Sequence, residues 1–575
     1  MQKNHDQHVR RVLVTLVVLG AMLLLGCGPA PSAPPTTAPA PAAVVPQPTT
    51  ASAPAAVVPQ PTAVPAGPKK GGSVTIHAWT ADPPDLDPYM NTSFRSQEFA
   101  GLFYSRLLKF DTGPSIKVNS FIPTGDLADK WEVSKDGLSY TFHIRDNAKW
   151  HNKAPLNGRK VTADDVVFSW DRFQKVGVQK AVLGMVKEVK KVDDSNVQFV
   201  LNDVFAPFES TIATPLFWIV PKEVVEKDGD LRKTTVGSGP FIFDKYEKGV
   251  SIVAKRNPDY YGGVANVDEV VMLIIADTAA QVAGLRSKQI DLVGLSQTDR
   301  ESVVKTNPEI VMTDYVQNLI WIMYWRLDAK PFDDVRVRQA VSLALDREEI
   351  SKVIFEGKGV YNSHMAAGLP SFWLDPKGAD FGPNAKYFKR DLAAAKKLLA
   401  DAGYPNGLKA PLISTLNAYG NTFNTSVELV IKQMKEAGIE TTLEAQDYAA
   451  YIATTFLGKF DGGKMVWGLQ TPVQEPHDYF FNMYGEKSAR NHAGVKDTEL
   501  WAMMDKQAKT LDKAERKKQI YEIQRYLADK EYYVIGPTGA TTVAAQPWVK
   551  GFYYESDYGR YAEWLPKMWL EGKPQ

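Results

Sequence analysis

Cysteine is almost missing from this chain. Cys27 is the only one in 575 residues, which excludes a disulfide framework and any cysteine-based zinc site. An excess of charge of either sign is lacking as well. Lys and Arg total 67 against 66 Asp and Glu, so the basic face that a nucleic-acid binder needs is not available. Beyond residue 70 no hydrophobic run approaches the roughly 20 residues of a membrane-spanning helix. Histidine is sparse, and His77, His143, His151, His364, His477 and His492 stand singly, without metal-ligand spacing. There is no phosphate loop, no His-Glu-x-x-His and no Gly-x-Ser-x-Gly. Val236-Gly237-Ser238-Gly239-Pro240-Phe241 imitates a dinucleotide loop, but Pro240 and the missing third glycine spoil it. Ser302-Val303-Val304-Lys305 has the Ser-x-x-Lys spacing of penicillin-binding enzymes without their partner motifs. Carboxylate pairs at Asp164-Asp165 and Asp333-Asp334 fall at helix starts, where free N–H groups explain them. No catalytic constellation remains, and neither a cofactor nor a metal is expected.

What is present is 44% hydrophobic and 23% charged, the texture of a soluble globular chain of two to four domains. Its start is different. Arg10-Arg11 close a charged segment, and an apolar run of about 14 residues follows from Val12 to Leu25. That run is too short to span a bilayer and has the size of a signal-peptide core. Leu24-Leu25-Gly26-Cys27 resembles a bacterial lipobox, so residues 1–26 are expected to be removed and Cys27 to carry a lipid. Residues 27–70 are rich in Pro, Ala and Thr, and the block Ala40 to Thr49 recurs unchanged at Ala53 to Thr62. Polyproline II at this density gives a tether on the order of 100 Å.

From Gly71 onward strands and helices alternate, which predicts an α/β body. Strand-like runs occur at Ser73–Ala78, Tyr140–Ile144, Val197–Leu201, Phe241–Phe243, Ser251–Ala254 and Val270–Ile275. Thr162 with Asp165 predicts a capped helix start, and Asp334 opens a helix with Val337, Ala340, Val341 and Ala344 inward. Helices are also expected from about Arg390 to Gly403, over Asn424–Ala437 and over Asp512–Asp529. Aromatics cluster at Trp321, Tyr324 and Trp325, and again from Tyr479 to Tyr484. In Met465-Val466-Trp467-Gly468-Leu469-Gln470 a large flat side chain stands beside bare backbone and an amide. That combination suits a concave ligand site as well as a core.

A series of motifs in order carries a family resemblance. Asp82-Pro83-Pro84-Asp85-Leu86-Asp87-Pro88 opens it, and Leu127-Ala128-Asp129-Lys130-Trp131 through Asp136-Gly137 continues it. Val161-Thr162-Ala163-Asp164-Asp165-Val166, Gly237-Ser238-Gly239-Pro240-Phe241 and Arg256-Asn257-Pro258-Asp259-Tyr260-Tyr261 follow. Pro331-Phe332-Asp333-Asp334-Val335-Arg336-Val337-Arg338-Gln339-Ala340 is the most diagnostic stretch, with Ala394 to Gly403 after it. The chain resembles the family 5 extracellular solute-binding proteins, the peptide, nickel and oligosaccharide receptors of ABC importers.

The resemblance implies a two-lobed periplasmic-binding-protein fold of type II with an extra subdomain. Lobe I would comprise residues 71–108, 215–324 and 546–575, the subdomain 109–214, and lobe II 325–545. Hinges would fall near Tyr324–Leu327 and Thr541–Gln546. A ligand would lie against Trp79, Thr80 and Asp82 on one lobe, with Tyr324 near the hinge. On the other it would meet Asn417, Tyr419, Asn421, Trp467, Gly468 and Gln470. Peptide-binding relatives place an Asp just after the Trp strand for the peptide ammonium. Here that stretch reads Thr471-Pro472-Val473-Gln474-Glu475-Pro476, with no Asp before Asp478 and Glu475 as the possible substitute. Peptide is the leading solute; an oligosaccharide or another non-peptide solute is the alternative, and a secreted hydrolase on this scaffold a distant one. The expected partners are ABC permease subunits with their ATPase. A non-enzymatic monomer is expected, held outside the cytoplasm by its lipid alone.

Overall fold

The computed structural model describes residues 67–316, 318–470, 473–553 and 560–574. Cys27 and the leader lie outside the described residues, as does the Pro-rich segment up to residue 66. Among the described residues no helix is long and apolar enough to cross a membrane.

Three larger sheets organise the body. The first has seven strands, in the order Val311–Val316, Ala540–Ala545, Leu292–Leu295, Ser73–Trp79, Glu269–Ile274, Ser251–Arg256 and Phe241–Glu247. Ser73–Trp79 runs parallel to both of its neighbours, and the remaining pairs are antiparallel. The second sheet has five strands, ordered Leu443–Ala445, Leu412–Ser414, Met465–Gln470, Ile320–Tyr324 and Val534–Ile535. The third is antiparallel, ordered Ala128–Val133, Ser139–Ile144, Asn196–Leu201 and Val186–Lys191, and falls within the expected subdomain. Its strand Ser139–Ile144 buries Tyr140, Phe142 and Ile144 while the residues between stay half-exposed, as one covered face requires. The helix Ala163–Val176 packs on it, opened by the Thr162–Asp165 capping box.

Burial explains why the second sheet reads as continuous apolar sequence. All five residues of Ile320–Tyr324 are buried. Alternation sends Ile320, Ile322 and Tyr324 into one core cluster and Trp321 and Met323 into another on the opposite face. A strand covered on both sides has no reason to alternate in polarity.

Strand pairing moves the expected lobe boundaries. Ile320–Tyr324 pairs with Gln470 to Val466 in the second sheet, and Ala540–Ala545 pairs with two strands of the first. The chain therefore crosses between Val316 and Ile320 and returns between Ile535 and Ala540, not at Tyr324–Leu327 and Thr541–Gln546. The motifs mark helices well but carry no register, so the boundary drifted by several residues. The two crossings are tied: the Thr538 hydroxyl donates to Leu319 O at 2.8 Å and accepts from Asn362 Nδ2 at 2.6 Å.

The segment Val236–Phe241 needs its glycines for closeness rather than for phosphate. A Cβ on Gly237 would stand 1.7 Å from the carbonyl oxygen of Phe103. His151 brackets the same turn, with Nδ1 accepting from Gly237 N at 3.1 Å and Nε2 donating to Gly239 O at 3.0 Å. Those two bonds fix the neutral tautomer, and burial pushes this imidazole down to about 4.

Candidate functional site

The parallel strands Ser73–Trp79 and Leu292–Leu295 finish at one edge of the first sheet, where carboxyl ends of parallel strands leave a crevice. Trp79, Thr80, Ser296 and Gln297 form one wall of a cavity of about 460 Å³ there. The opposite wall comes from the second sheet and its helices, with Trp321, Phe355, Tyr419, Phe423 and Leu469. Trp321 packs against Phe355 at 5.1 Å and edge-on to Phe423 at 5.6 Å between ring centroids. The site is an aromatic-walled crevice between two sheets.

Its charged groups are few among the described residues. Arg95 and Glu98 lie on the helix Phe94–Phe103, which follows the Leu86-Asp87-Pro88 turn. Arg95 is 1% exposed. Its Nη2 donates to Ala418 O at 2.6 Å and to Thr80 Oγ1 at 3.2 Å, and Thr80 Oγ1 itself donates to Ala418 O at 2.8 Å. The guanidinium lies 4.1 Å from the Tyr448 ring centroid, and Ser93 Oγ is 3.1 Å from Tyr448 Oη. These contacts join the two sides of the crevice. Nε and Nη1 of Arg95 have no partner. Glu98 accepts from Trp79 Nε1 through one oxygen. Burial, partly offset by Trp79 and Arg95, pushes its carboxyl up to about 7. Lys358 is exposed at the cavity's edge, and His77 Nε2 is held 3.1 Å from Ile275 O. Among the described residues no group of His, Cys, Asp and Glu is arranged to hold a metal ion.

The sequence from 123 to 491 matches the family described as bacterial extracellular solute-binding proteins, family 5 Middle. The chain belongs to the family 5 extracellular solute-binding proteins. The dipeptide-binding protein of Escherichia coli (strain K12) is 28% identical over 416 residues, covering 68% of this chain and 75% of the relative. Oligopeptide-binding protein AppA of Bacillus subtilis (strain 168) is 27% identical over 527 residues, covering 88% and 92%. The solved ABC transporter-associated periplasmic binding protein DppA from Helicobacter pylori, in complex with peptide STSA, superposes with a TM-score of 0.77. It is 25% identical and covers 88% of this chain and 99% of its own. The fold is thus the two-lobed α/β fold of periplasmic binding proteins, and the relatives are binding proteins rather than enzymes.

In this family 5 protein the expected site residues fall in different places. Trp79, Thr80 and Tyr419 line the cavity. Trp467 does not, and its expected role as a cleft wall is corrected: it is wholly buried in mid-sheet, with Nε1 donating to Ser426 Oγ at 2.9 Å. Strand alternation instead brings Leu469, on the same face but nearer the strand end, to the cavity. Tyr324 is also fully buried, 3.1 Å from Tyr451 Oη through its hydroxyl. Gly468 leaves room for that pair, since a Cβ there would lie 2.3 Å from Tyr451 Oη. Asp82 braces a hairpin of the first sheet by accepting from Tyr246 Oη at 2.6 Å and Gly249 N at 2.8 Å. Asn417, in the left-handed region with φ 64°, exchanges amide bonds with Asn424, and Asn421 opens the helix Asn421–Glu436 on the exposed side. Gln470 is buried on the face opposite Leu469, and neither atom of its amide has a partner.

Arg95 and Glu98 escaped the sequence reading. The helix Phe94–Phe103 buries Arg95, Ser96 and Gln97 along with Phe99 and Phe103, so its polar residues look like an ordinary solvated face. The only signal was position, directly after the Pro-x-x-Leu-Asp-Pro turn. Asp87 of that turn is itself structural, ion-paired with Arg172 and accepting from Leu231 N at 3.2 Å.

Proposed function

We propose that the protein is the receptor of an ABC importer and captures a short peptide between its two lobes for delivery to a membrane permease. The observation that carries this reading is the cavity itself: an aromatic-walled space of about 460 Å³ between two sheets joined by paired crossings. Its volume is within the range of small-ligand sites, and its walls belong to opposite halves of the body, so closure would bury the solute. Relatives that bind dipeptides and oligopeptides support peptide as the solute class.

The test is direct. Trp79 and Trp321 stand on the cavity wall, so a peptide that fills it is expected to shift the protein's fluorescence saturably. The same peptide should reduce the radius of gyration measured by small-angle scattering. Saturable fluorescence change without compaction would sink the closing-lobe mechanism; no response to any peptide pool would sink the peptide reading.

We also read Cys27 as the lipid attachment and residues 28–70 as a tether that keeps the body near the membrane surface. Cys27→Ala is expected to move the protein from the membrane fraction to the soluble extracytoplasmic fraction. Retention on membranes after that change would refute the lipid anchor.

A further inference from the structure

We infer that the third sheet carries a clasp for the second lobe: residues 203–211 grip the helices Pro476–Tyr484 and Thr498–Lys509 only when the body is closed, so that side chains away from the cavity set how tightly a solute is held. The inference rests on the closing-lobe reading above and gives the third sheet a part in it.

The gripping segment is rooted in the first half of the body. Phe208 opens the helix Phe208–Ala213 and packs against Tyr140 of the third sheet at 4.4 Å between ring centroids, while Glu209 accepts from Trp131 Nε1 at 2.8 Å. Phe205, Phe208 and Ile212 share a core cluster with Val74 and Trp79 of the first sheet. The gripped helices are rooted in the other half, where Tyr479, Met483, Leu500 and Met504 share a cluster with Ile320 and Ile322. Specific contacts cross between them. Ala206 N donates to Ala508 O at 2.7 Å, and Thr211 Oγ1 donates to Asp478 Oδ1 at 3.0 Å. Phe205 stands edge-on to His477 at 4.9 Å between centroids, and Lys509 Nζ lies 2.9 Å from Asp203 Oδ2. Ala508 is thereby buried in the first half's cluster, although its helix belongs to the second.

None of these crossing residues lines the cavity. A swing about the two crossings that opens the crevice would draw residues 203–211 away from both helices. The makeup of the contact suits one that forms and breaks: a main-chain bond, a hydroxyl on a carboxyl, a half-exposed ion pair and one ring edge, without an apolar core of its own. Asp478 is 1% exposed, and burial with the neighbouring Glu475 pushes its carboxyl well above the usual carboxylate range. Closing therefore buries a neutral acid, and the Thr211 hydroxyl is the donor that meets it. In an opened body water would take the place of that hydroxyl. Removing it costs the closed form and spares the open one, so the loss falls on solute affinity and not on folding.

The experiment uses the full-length chain in detergent and an equimolar pool of Ala-X dipeptides, with binding followed by tryptophan fluorescence and amide hydrogen exchange by mass spectrometry. A saturating pool is expected to slow exchange in residues 203–211 by about tenfold or more, because the Ala206 amide is held by Ala508 only in the closed form. Exchange within Ser139–Ile144, inside the third sheet, should stay the same. Thr211→Val keeps the shape and removes the donor. It is expected to weaken binding of the pool about tenfold through faster dissociation, with the melting temperature of the solute-free protein unchanged. Thr211→Ser should bind as the parent does. Binding of the pool with unchanged exchange at 203–211 would overturn the clasp while leaving a peptide receptor, since the segment would then move with the second lobe. A lowered melting temperature in Thr211→Val with affinity kept would overturn it as well, marking the bond to Asp478 as permanent. If that variant loses both, the exchange result on the parent protein decides. No response to the pool in fluorescence or in exchange would overturn the peptide reading and the clasp together.

Discussion

Replacing Trp467 with alanine is expected to lower the stability of the folded body by about 3–5 kcal/mol while leaving peptide affinity close to that of the parent. The indole is wholly buried. It sits edge-on to Trp321 at 6.2 Å between centroids, its Nε1 is bonded to Ser426, and its far edge would lie 2.7 Å from a Cβ on Gly536. Truncation therefore leaves a cavity between the second sheet and the helix Asn421–Glu436, and strands Ser426 Oγ with its bond to Phe423 O alone. The wall residue Trp321 keeps its contacts with Phe355 and Phe423. Thermal melting and fluorescence titration on one sample decide the matter. Affinity lost with the melting temperature kept would return Trp467 to the ligand.

Gly237→Ala should destabilise the body by about 3 kcal/mol, because overpacking against backbone has no cheap relief. The atom in the way is the carbonyl oxygen of Phe103, 1.7 Å from the added methyl, and no rotamer moves a main-chain carbonyl. Relief requires shifting the end of the helix Phe94–Phe103 or opening the bracket made by His151 on Gly237 and Gly239. Since that helix carries Arg95 and Glu98, peptide affinity should fall as well. Ser238→Ala, one residue on, loses only the 3.0 Å bond to Ser105 and should cost about 1 kcal/mol. Denaturant midpoints of the two variants separate the effects; near-parental stability of Gly237→Ala would contradict the packing argument.

Local signals in the sequence were readable where one element determines itself. Thr162 and Asp165 form the expected box, and the Asp334 and Asp512 carboxylates accept the N–H groups of the helices they open. Strands whose alternation faces one core, such as Ser139–Ile144, were visible for the same reason. Pairing was not. Nothing in Ile320–Tyr324 says that it joins Met465–Gln470 rather than the first sheet, because a strand buried on both faces gives no directional pattern. The site suffered from the same gap. Trp79 and Thr80, which line the cavity, end a legible strand next to a motif, whereas Trp467 and Leu469 share a face and only the sheet's edge decides which meets the cavity. Arg95 and Glu98 gave no signal because a buried helix that carries polar groups breaks the usual hydrophobic pattern.

The hydroxyl of Thr538 gives the two crossings a mechanical meaning. Two lengths of chain that run side by side and share one hydrogen-bonded junction behave like the two pins of a door. In the proposed closure the halves would swing about the line through both pins, while twist and slip would break the bonds from Thr538 to Leu319 and from Asn362 to Thr538. If the halves close on a solute as proposed, a junction of this kind would confine the motion to one angle rather than a volume of orientations. A solute resting on one half would then meet the other already aligned, and closing would forfeit little rotational freedom. The direction of that swing would be set by a threonine that does not line the cavity.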